Sequence, residues 1–357
     1  MWGMQVYAGY FDGYNGINRL NFFPNGLVYF DSYAIYNPTF FTGSTTASQH
    51  PDWILKDSNN NSLYINYDCN KTDSRGNATG QCTQFAADVS NQGFINWYIS
   101  TLQSRVNTGY HAVWIDDVNL TLSRVSDGNG NVIAPIDHAT GTAMTGASWG
   151  KYFAAFLQQV RTSFPTMTIL HNSIWYADPQ NNGTYDQDPN VIKQIQQADL
   201  INLERGVNDA GITGGTGTFS LNNMLRFIDH VHALGKAVVL DGEINTGAGI
   251  NPNDPIQREY ALACYFLISM GKDAIGNDNI FPDAWWSGYD LDLGQPTGNR
   301  TSWNGLRRRD FNGGFVLVND PKAQPISVNL GGTFKRVDGT SITKITLAGS
   351  QGVILLK

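Results

Sequence analysis

From about residue 88 onward the apolar positions switch between two rhythms, and the switch recurs five times along the chain. Phe94, Ile95, Tyr98, Leu102 and Val106 fall at the three- and four-residue intervals of one helix face, and this pattern stops at Gly109. His111-Ala112-Val113-Trp114-Ile115 then reads as a buried strand. A second unit runs from Ser148, read as an N-cap, through Tyr152-Phe153-Ala154-Ala155-Phe156-Leu157 to the strand Thr166-Met167-Thr168-Ile169-Leu170. A third opens on Asp188-Pro189, a capping residue followed by proline at the first helical position, and leads to Leu200-Ile201-Asn202-Leu203. Leu221, Met224, Leu225, Ile228 and Val231 mark a fourth helix ending at Gly235, before Ala237-Val238-Val239-Leu240. Asp254-Pro255 starts a fifth, Gly271 ends it, and Asp273-Ala274-Ile275-Gly276 follows as a short strand.

Apolar strands separated by amphipathic helices predict a parallel sheet covered by helices. With earlier strands at Gln5 to Ala8, Leu27 to Phe30 and Trp53 to Leu55, the fold class is α/β, a (β/α)8 TIM barrel. A doubly wound sheet fits less well, because Tyr7-Ala8-Gly9-Tyr10-Phe11-Asp12-Gly13 lacks the glycine spacing of a phosphate loop. Past Arg309 the pattern becomes short alternating strands with Gly and Asp turns, such as Gly314 to Val318 and Gly352 to Leu356. The expected domains are therefore a barrel over 1–310 and a small C-terminal antiparallel β-sandwich domain over 311–357.

Composition narrows the partners. Charged residues are only 15% of the 357 and aromatics reach 12%, so the surface is rich in amides, hydroxyls and rings, which suits a ligand with many hydroxyls and no charge. A net charge of −7 disfavours nucleic acid as a partner. The basic run Arg307-Arg308-Arg309 reads as a solvated or salt-bridged strand edge. No stretch approaches the roughly 20 apolar residues that span a bilayer, so no membrane role is expected. Cys69 and Cys82 bracket a polar loop with little core of its own, where a disulfide would substitute for packing. The expected location is thus extracellular or periplasmic, although Met1-Trp2-Gly3-Met4 does not begin a secretory signal. Cys264, inside an apolar run, reads as a buried thiol. No zinc or other metal site is expected, no cofactor is implied, and the oligomeric state is not legible.

In a barrel of this type the chemistry sits at the carboxyl ends of the strands. Asp116 and Asp117 end one strand, Glu204 and Arg205 another, and Asp241 and Glu243 a third, with His171-Asn172 between the first two. Each acid alone could be a turn cap or a surface ion pair. Several converging on one rim would cost repulsion and desolvation that a function must use. Two carboxyl groups in a cleft of rings and amides are what glycosidic cleavage needs, one to protonate the leaving oxygen and one to face the oxocarbenium-like carbon. Trp175-Tyr176 and Trp285-Trp286 follow strand ends and offer faces for sugar rings. The candidate substrate-binding set is Asp12, Asp31, Asn172, Trp175, Tyr176, Arg205, Asp241, Asn277, Asp278, Trp285 and Trp286.

Competing motifs are weaker. Gly146-Ala147-Ser148-Trp149-Gly150 has the spacing of a nucleophile elbow, but a polar loop precedes it where an elbow needs an apolar strand. His230 and His232 are two apart on a helix and point to different faces. Asp127-Gly128-Asn129-Gly130-Asn131 begins like a calcium loop but lacks the glycine and closing glutamate, so a plain turn is expected.

The order His50-Pro51-Asp52-Trp53-Ile54-Leu55-Lys56-Asp57, then a helix, then Gly109 to Val118 with its Asp116-Asp117 pair, resembles many barrel glycoside hydrolases. The stretches His171 to Tyr176 and Ala198 to Gly206 resemble glycoside-hydrolase-like family 15, and Asp310 to Asn319 is similar to the β-sandwich that often follows such barrels. The resemblance implies a nucleophile or charge stabiliser after strand four and an acid/base after strand six, as in barrel enzymes acting on α-linked sugars. Asp116 and Glu204 take these roles, with Asp117 as the alternative nucleophile. Glu243 would replace Glu204 if the acid/base lies after strand seven. The expected activity is retaining cleavage of O-glycosidic bonds in an oligo- or polysaccharide, and the alternative is a carbohydrate-binding barrel without catalysis.

Overall fold

The computed structural model describes residues 5–6, 26–38, 44–69, 82–173, 187–204, 206–209, 211–241, 254–276 and 286–357. The chain divides into two compact units, residues 1–200 and 201–357.

In the first unit the parallel strands are β1 (Gln5–Val6), β2 (Leu27–Asp31), β6 (Ala112–Val118) and β10 (Thr168–Ser173), in that order. A small antiparallel sheet of β3 (Ala34–Tyr36), β5 (Gln84–Ala86), β4 (Tyr64–Ile65) and β7 (Val125–Ser126) lies beside it in sequence, together with a hairpin of β8 (Ile136–Asp137) and β9 (Thr142–Ala143). The helices are α1 (Thr46–Gln49), α2 (Gln92–Asn107), α3 (Gly146–Ser163) and α4 (Pro189–Gln197). Side chains alternate across the parallel strands. Val28, Val113, Ile115 and Ile169 join one core with Phe94, Tyr98, Phe153, Phe156 and Leu157 of α2 and α3, and Phe30 stacks on Tyr98 at 4.1 Å. The alternate positions Tyr29, Asp31, Trp114 and Asp116 therefore point to the opposite face of the strands.

In the second unit β11 (Leu200–Leu203), β12 (Ala237–Asp241) and β13 (Ala274–Gly276) are neighbours in that order, β12 and β13 being parallel, with α5 (Leu221–Ala233) and α6 (Pro255–Ile268) between them in sequence. A six-stranded antiparallel sheet follows, in the order β14 (Thr301–Trp303), β15 (Leu306–Phe311), β16 (Gly314–Val318), β19 (Gly352–Leu356), β17 (Ile326–Lys335), β18 (Ser341–Leu347). Phe315, Leu317, Val353 and Leu355 join Leu306, Val328, Leu330 and Leu347 in one apolar cluster. Helix α6 packs against β15, β16 and β19. This explains why β16 is apolar at every position although the sheet is antiparallel: it is buried on both sides.

The helix starts follow from capping. Asn91, Asp188, Ser220 and Asp254 each accept hydrogen bonds from first-turn N–H groups. Two expectations are corrected. The cap of α3 is Thr145, whose hydroxyl accepts from the N–H of Ser148 at 3.1 Å; Ser148 lies inside the first turn because Gly146 and Ala147 already continue the helix. Trp53 to Leu55 is not a strand: Pro51–Trp53 forms a 3-10 turn, and Ile54 contributes an isolated bridge to Ala87. The proline presets the turn and has no N–H for a ladder.

The disulfide Cys69–Cys82 is formed and Cys264 is buried. The Arg307 to Arg309 run is inside the sheet, since β14 lies outside β15. Arg307 and Arg308 pair with Asp320 and Asp310, whereas the buried Arg309 donates to the Phe266 and Ser269 carbonyls at the end of α6. Asp127 accepts from the N–H groups of Asn129 and Asn131 in a turn, and Asp57 repeats that turn with Asn59 and Asn61. No described helix is long and apolar enough to cross a membrane.

Candidate functional site

The structure brings Asp31, Asp116, Asp117 and Asn172 together at the carboxyl ends of β2, β6 and β10. Regular pairing aligns Asp31, Asp116 and Asn172, and a slip in register adds Asp117. Asp31 pairs with Asp116, but His171 pairs with Ile115 and Ser173 with Val118, so Asn172 alone faces both Asp116 and Asp117. Asp117 absorbs the extra residue in a left-handed conformation, φ 51°, which aspartate adopts more readily than most side chains. The doubled acid of the sequence is thus a β-bulge, a device that re-aims a side chain at a strand end.

The Asp116 carboxylate is held from three directions. Its Oδ1 accepts from Asn172 Nδ2 at 2.8 Å and from the Asp117 N–H at 2.8 Å, and its Oδ2 accepts from the Tyr29 hydroxyl at 2.6 Å. Asp117 is tied through its backbone: its carbonyl accepts from the Ser32 hydroxyl at 2.9 Å and from the Asn119 N–H at 2.7 Å. Asn119 also donates to the Tyr33 hydroxyl at 2.9 Å. Asp31 is buried, and its Oδ1 accepts from the N–H groups of Tyr33 and Ala34 at 2.9 and 2.8 Å. Burial, and then the charges of Asp117 and Asp116, push Asp31 well above the usual carboxylate range, overcoming those two donors. It keeps its proton where an ordinary carboxyl has lost it. Burial first, and then the nearby carboxylates, also raise Tyr29 far above its ordinary ionisation, so its hydroxyl stays a donor. A neutral acid beside a hydrogen-bonded carboxylate is an arrangement in which one group accepts positive charge and the other need not.

Of the remaining expected residues, Glu204 follows β11 and is exposed, and Asp241 ends β12, paired in the backbone with Gly276. Trp286 is half-buried with its ring edge-to-face against Tyr289 at 5.3 Å. Asp12, Trp175, Tyr176, Arg205, Glu243, Asn277, Asp278 and Trp285 lie outside the described residues. Sequence reasoning passed over Tyr29, Ser32, Tyr33 and Asn119. Tyr29 carried a usable signal: it precedes Asp31 by two, so both sit on the same face of one strand.

Residues 25–315 match the model of hypothetical glycosyl hydrolase family 15, and the chain belongs to that family. No curated protein matches it. Solved structures similar to it include TtGalA, an α-galactosidase from Thermus thermophilus, at 13% identity and TM-score 0.44, the match covering 80% of this chain and 50% of that one. The glycoside hydrolase domain of PelA from Pseudomonas aeruginosa matches at 11% identity and TM-score 0.39, over 73% of this chain and 81% of that one. The GH36 α-galactosidase AgaA from Geobacillus stearothermophilus matches at 11% identity and TM-score 0.44, over 93% and 44%. The chain thus spans half the length of the Thermus thermophilus protein.

Proposed function

We propose that this chain is a retaining glycoside hydrolase that cleaves O-glycosidic bonds of an oligo- or polysaccharide, with Asp116 as nucleophile and Glu204 as acid/base. The observation that carries the reading is the Asp116 carboxylate, fixed by donors from β2, β6 and β10 at a bulged strand end. A nucleophile gains rate when its orientation is set before the substrate arrives. Asp116 attacks the anomeric carbon while Glu204 protonates the departing oxygen, and the Glu204 carboxylate then takes a proton from water as the glycosyl ester is hydrolysed. The exposure of Glu204 suits a group that must exchange protons with solvent. Glu243 is the alternative acid/base and Asp117 the alternative nucleophile. Asp31 and Asn172, with Asp12, Trp175, Tyr176, Arg205, Asp241, Asn277, Asp278, Trp285 and Trp286, complete the proposed sugar-binding set. The accompanying fold reading is a (β/α)8 barrel over 1–310 followed by a β domain over 311–357. The disulfide supports an exported protein.

The test is an array of chromogenic glycosides and polysaccharides with wild type, Asp116→Asn and Glu204→Gln. Turnover by wild type, none by Asp116→Asn, and Glu204→Gln turnover confined to substrates with good leaving groups is the expected result. Full activity in both variants overturns the assignment. Saccharide binding by a wild type that cleaves nothing would instead establish the carbohydrate-binding alternative.

A further inference from the structure

The two oxygens of Asp116 are not equivalent. Among the described residues Oδ1 receives two donors, Asn172 Nδ2 and the Asp117 N–H, as many as it has lone pairs. Oδ2 receives one, the Tyr29 hydroxyl, and keeps a lone pair. Tyr29 is set for this contact by the strand register. It is level with Trp114, one pleat before the Asp31 and Asp116 pair, and on the same face, so its ring reaches diagonally to the strand end.

We propose that Tyr29 is a positioning residue that holds Oδ2 of Asp116 as the attacking oxygen and speeds the second half of the reaction, in which that oxygen leaves. The inference rests on the reading of Asp116 as nucleophile. In the first step Oδ2 bonds to the anomeric carbon, the bond from that carbon to the leaving oxygen breaks, and the proton of the acid passes to that oxygen. Oδ2 thereby loses its charge. In the second step a water oxygen bonds to the anomeric carbon, the bond to Oδ2 breaks with its electron pair returning to Oδ2, and the water proton passes to the conjugate base of the acid. A hydrogen bond to a charged oxygen is roughly twice as strong as one to a neutral oxygen. The Tyr29 hydroxyl therefore strengthens its bond as Oδ2 departs, which lowers the barrier of the second step and not of the first. Its burial keeps the proton on Tyr29 throughout the neutral range.

The test is Tyr29→Phe, assayed on whichever aryl glycoside with a good leaving group the wild type turns over. The expected result is a fall in kcat of about 10- to 100-fold with a parallel fall in KM, so that kcat/KM is nearly kept, and a burst of one aryl alcohol per enzyme as the glycosyl ester accumulates. Wild-type kinetics in Tyr29→Phe, or a fall in kcat/KM with no burst, overturns this inference alone and leaves the nucleophile assignment standing. No turnover by wild type on any glycoside overturns both. Should Tyr29→Phe fail to fold, protein carrying 13C at the tyrosine Cζ reads the contact directly: the Tyr29 resonance should move in Asp116→Ala, and an unmoved resonance overturns the inference.

Discussion

Asn172 Nδ2 donates to Asp116 Oδ1 at 2.8 Å across the one point where β6 and β10 lose their register, with one residue of β10 facing two of β6. The ladder that ends at His171 and Ile115 already sets Asn172 beside Asp116, and the bulge then adds Asp117 as a second residue opposite the same amide. The hydrogen bond and the bulge meet at this point, and substitutions on either strand should disturb the same carboxylate.

Asp117 tests the backbone half of this relationship. Its φ of 51° suits glycine and disfavours β-branched side chains. Both Asp117→Gly and Asp117→Val lose the side-chain contact with Asn119, but Asp117→Val should be the less stable of the two by about 1–2 kcal/mol, measured by urea unfolding. Equal stability of the two variants would contradict the bulge.

Asn172 tests the side-chain half. Asn172→Ala removes one donor from Asp116 and should cost about 1 kcal/mol of stability while lowering kcat about tenfold or more. A variant with unchanged kcat on the substrate that wild type hydrolyses would show that the amide does not orient the carboxylate.

Asp31 and Asp273 should respond to pH with opposite signs. Asp31 is raised in the folded protein by burial and then by Asp117 and Asp116, so the folded state binds its proton more tightly, and stability falls as pH rises above about 4, the unfolded value. Asp31→Asn keeps the acceptor for Tyr33 and Ala34 and removes that penalty. Its melting temperature should exceed wild type at pH 7, the gap closing toward pH 4. For Asp273 burial acts to raise the carboxyl, but His232 and the N–H groups of Met270 and Val238 outweigh it and hold it below the usual range. Its contribution is present above about 4 and is lost as pH falls through the folded value, so Asp273→Asn should be destabilised at pH 7 and approach wild type in acid. Thermal unfolding from pH 3 to 8 checks both.

Arg309 closes the last turn of α6 through the Phe266 and Ser269 carbonyls, at 3.0 and 2.8 Å. Those carbonyls have no helical partner of their own. Arg309→Met should cost about 2–4 kcal/mol in chemical denaturation, and Arg300→Met, which loses a pair with the exposed Asp229 and a long 3.4 Å bond to the Leu225 carbonyl, about 1 kcal/mol or less. Comparable losses would mean that Arg309 acts as a surface charge.

The Cys69–Cys82 bridge closes a loop of separation 13 and should contribute about 3 kcal/mol, lost in Cys69→Ser/Cys82→Ser. Burial pushes the Cys264 thiol up to about 12. A chromogenic thiol reagent should therefore find no reactive thiol in the native protein and one after unfolding without reductant.

The chain by itself determined the order of the longer helices and parallel strands described between residues 92 and 276, because periodicity and capping are local, but not the short strands β7, β8 and β9, which have too few residues to show a period. Asp188-Pro189 and Asp254-Pro255 cap helices wherever the chain goes, and the apolar face of α5 reads directly from Leu221 to Val231. Local signals failed at the start of α3, where Ser148 reads as the cap but the backbone already turns helical at Gly146, which leaves Thr145 in that place. Acids at strand ends were visible in the same way. What tertiary structure decided is which of them is held and by what. The side-chain donors to Asp116 are 87 and 56 residues away, and the slip that gives Asn172 two neighbours exists only once β6 and β10 are paired. Burial of Asp31, which sets its protonation, is likewise a property of the packed strands and not of the letters around it.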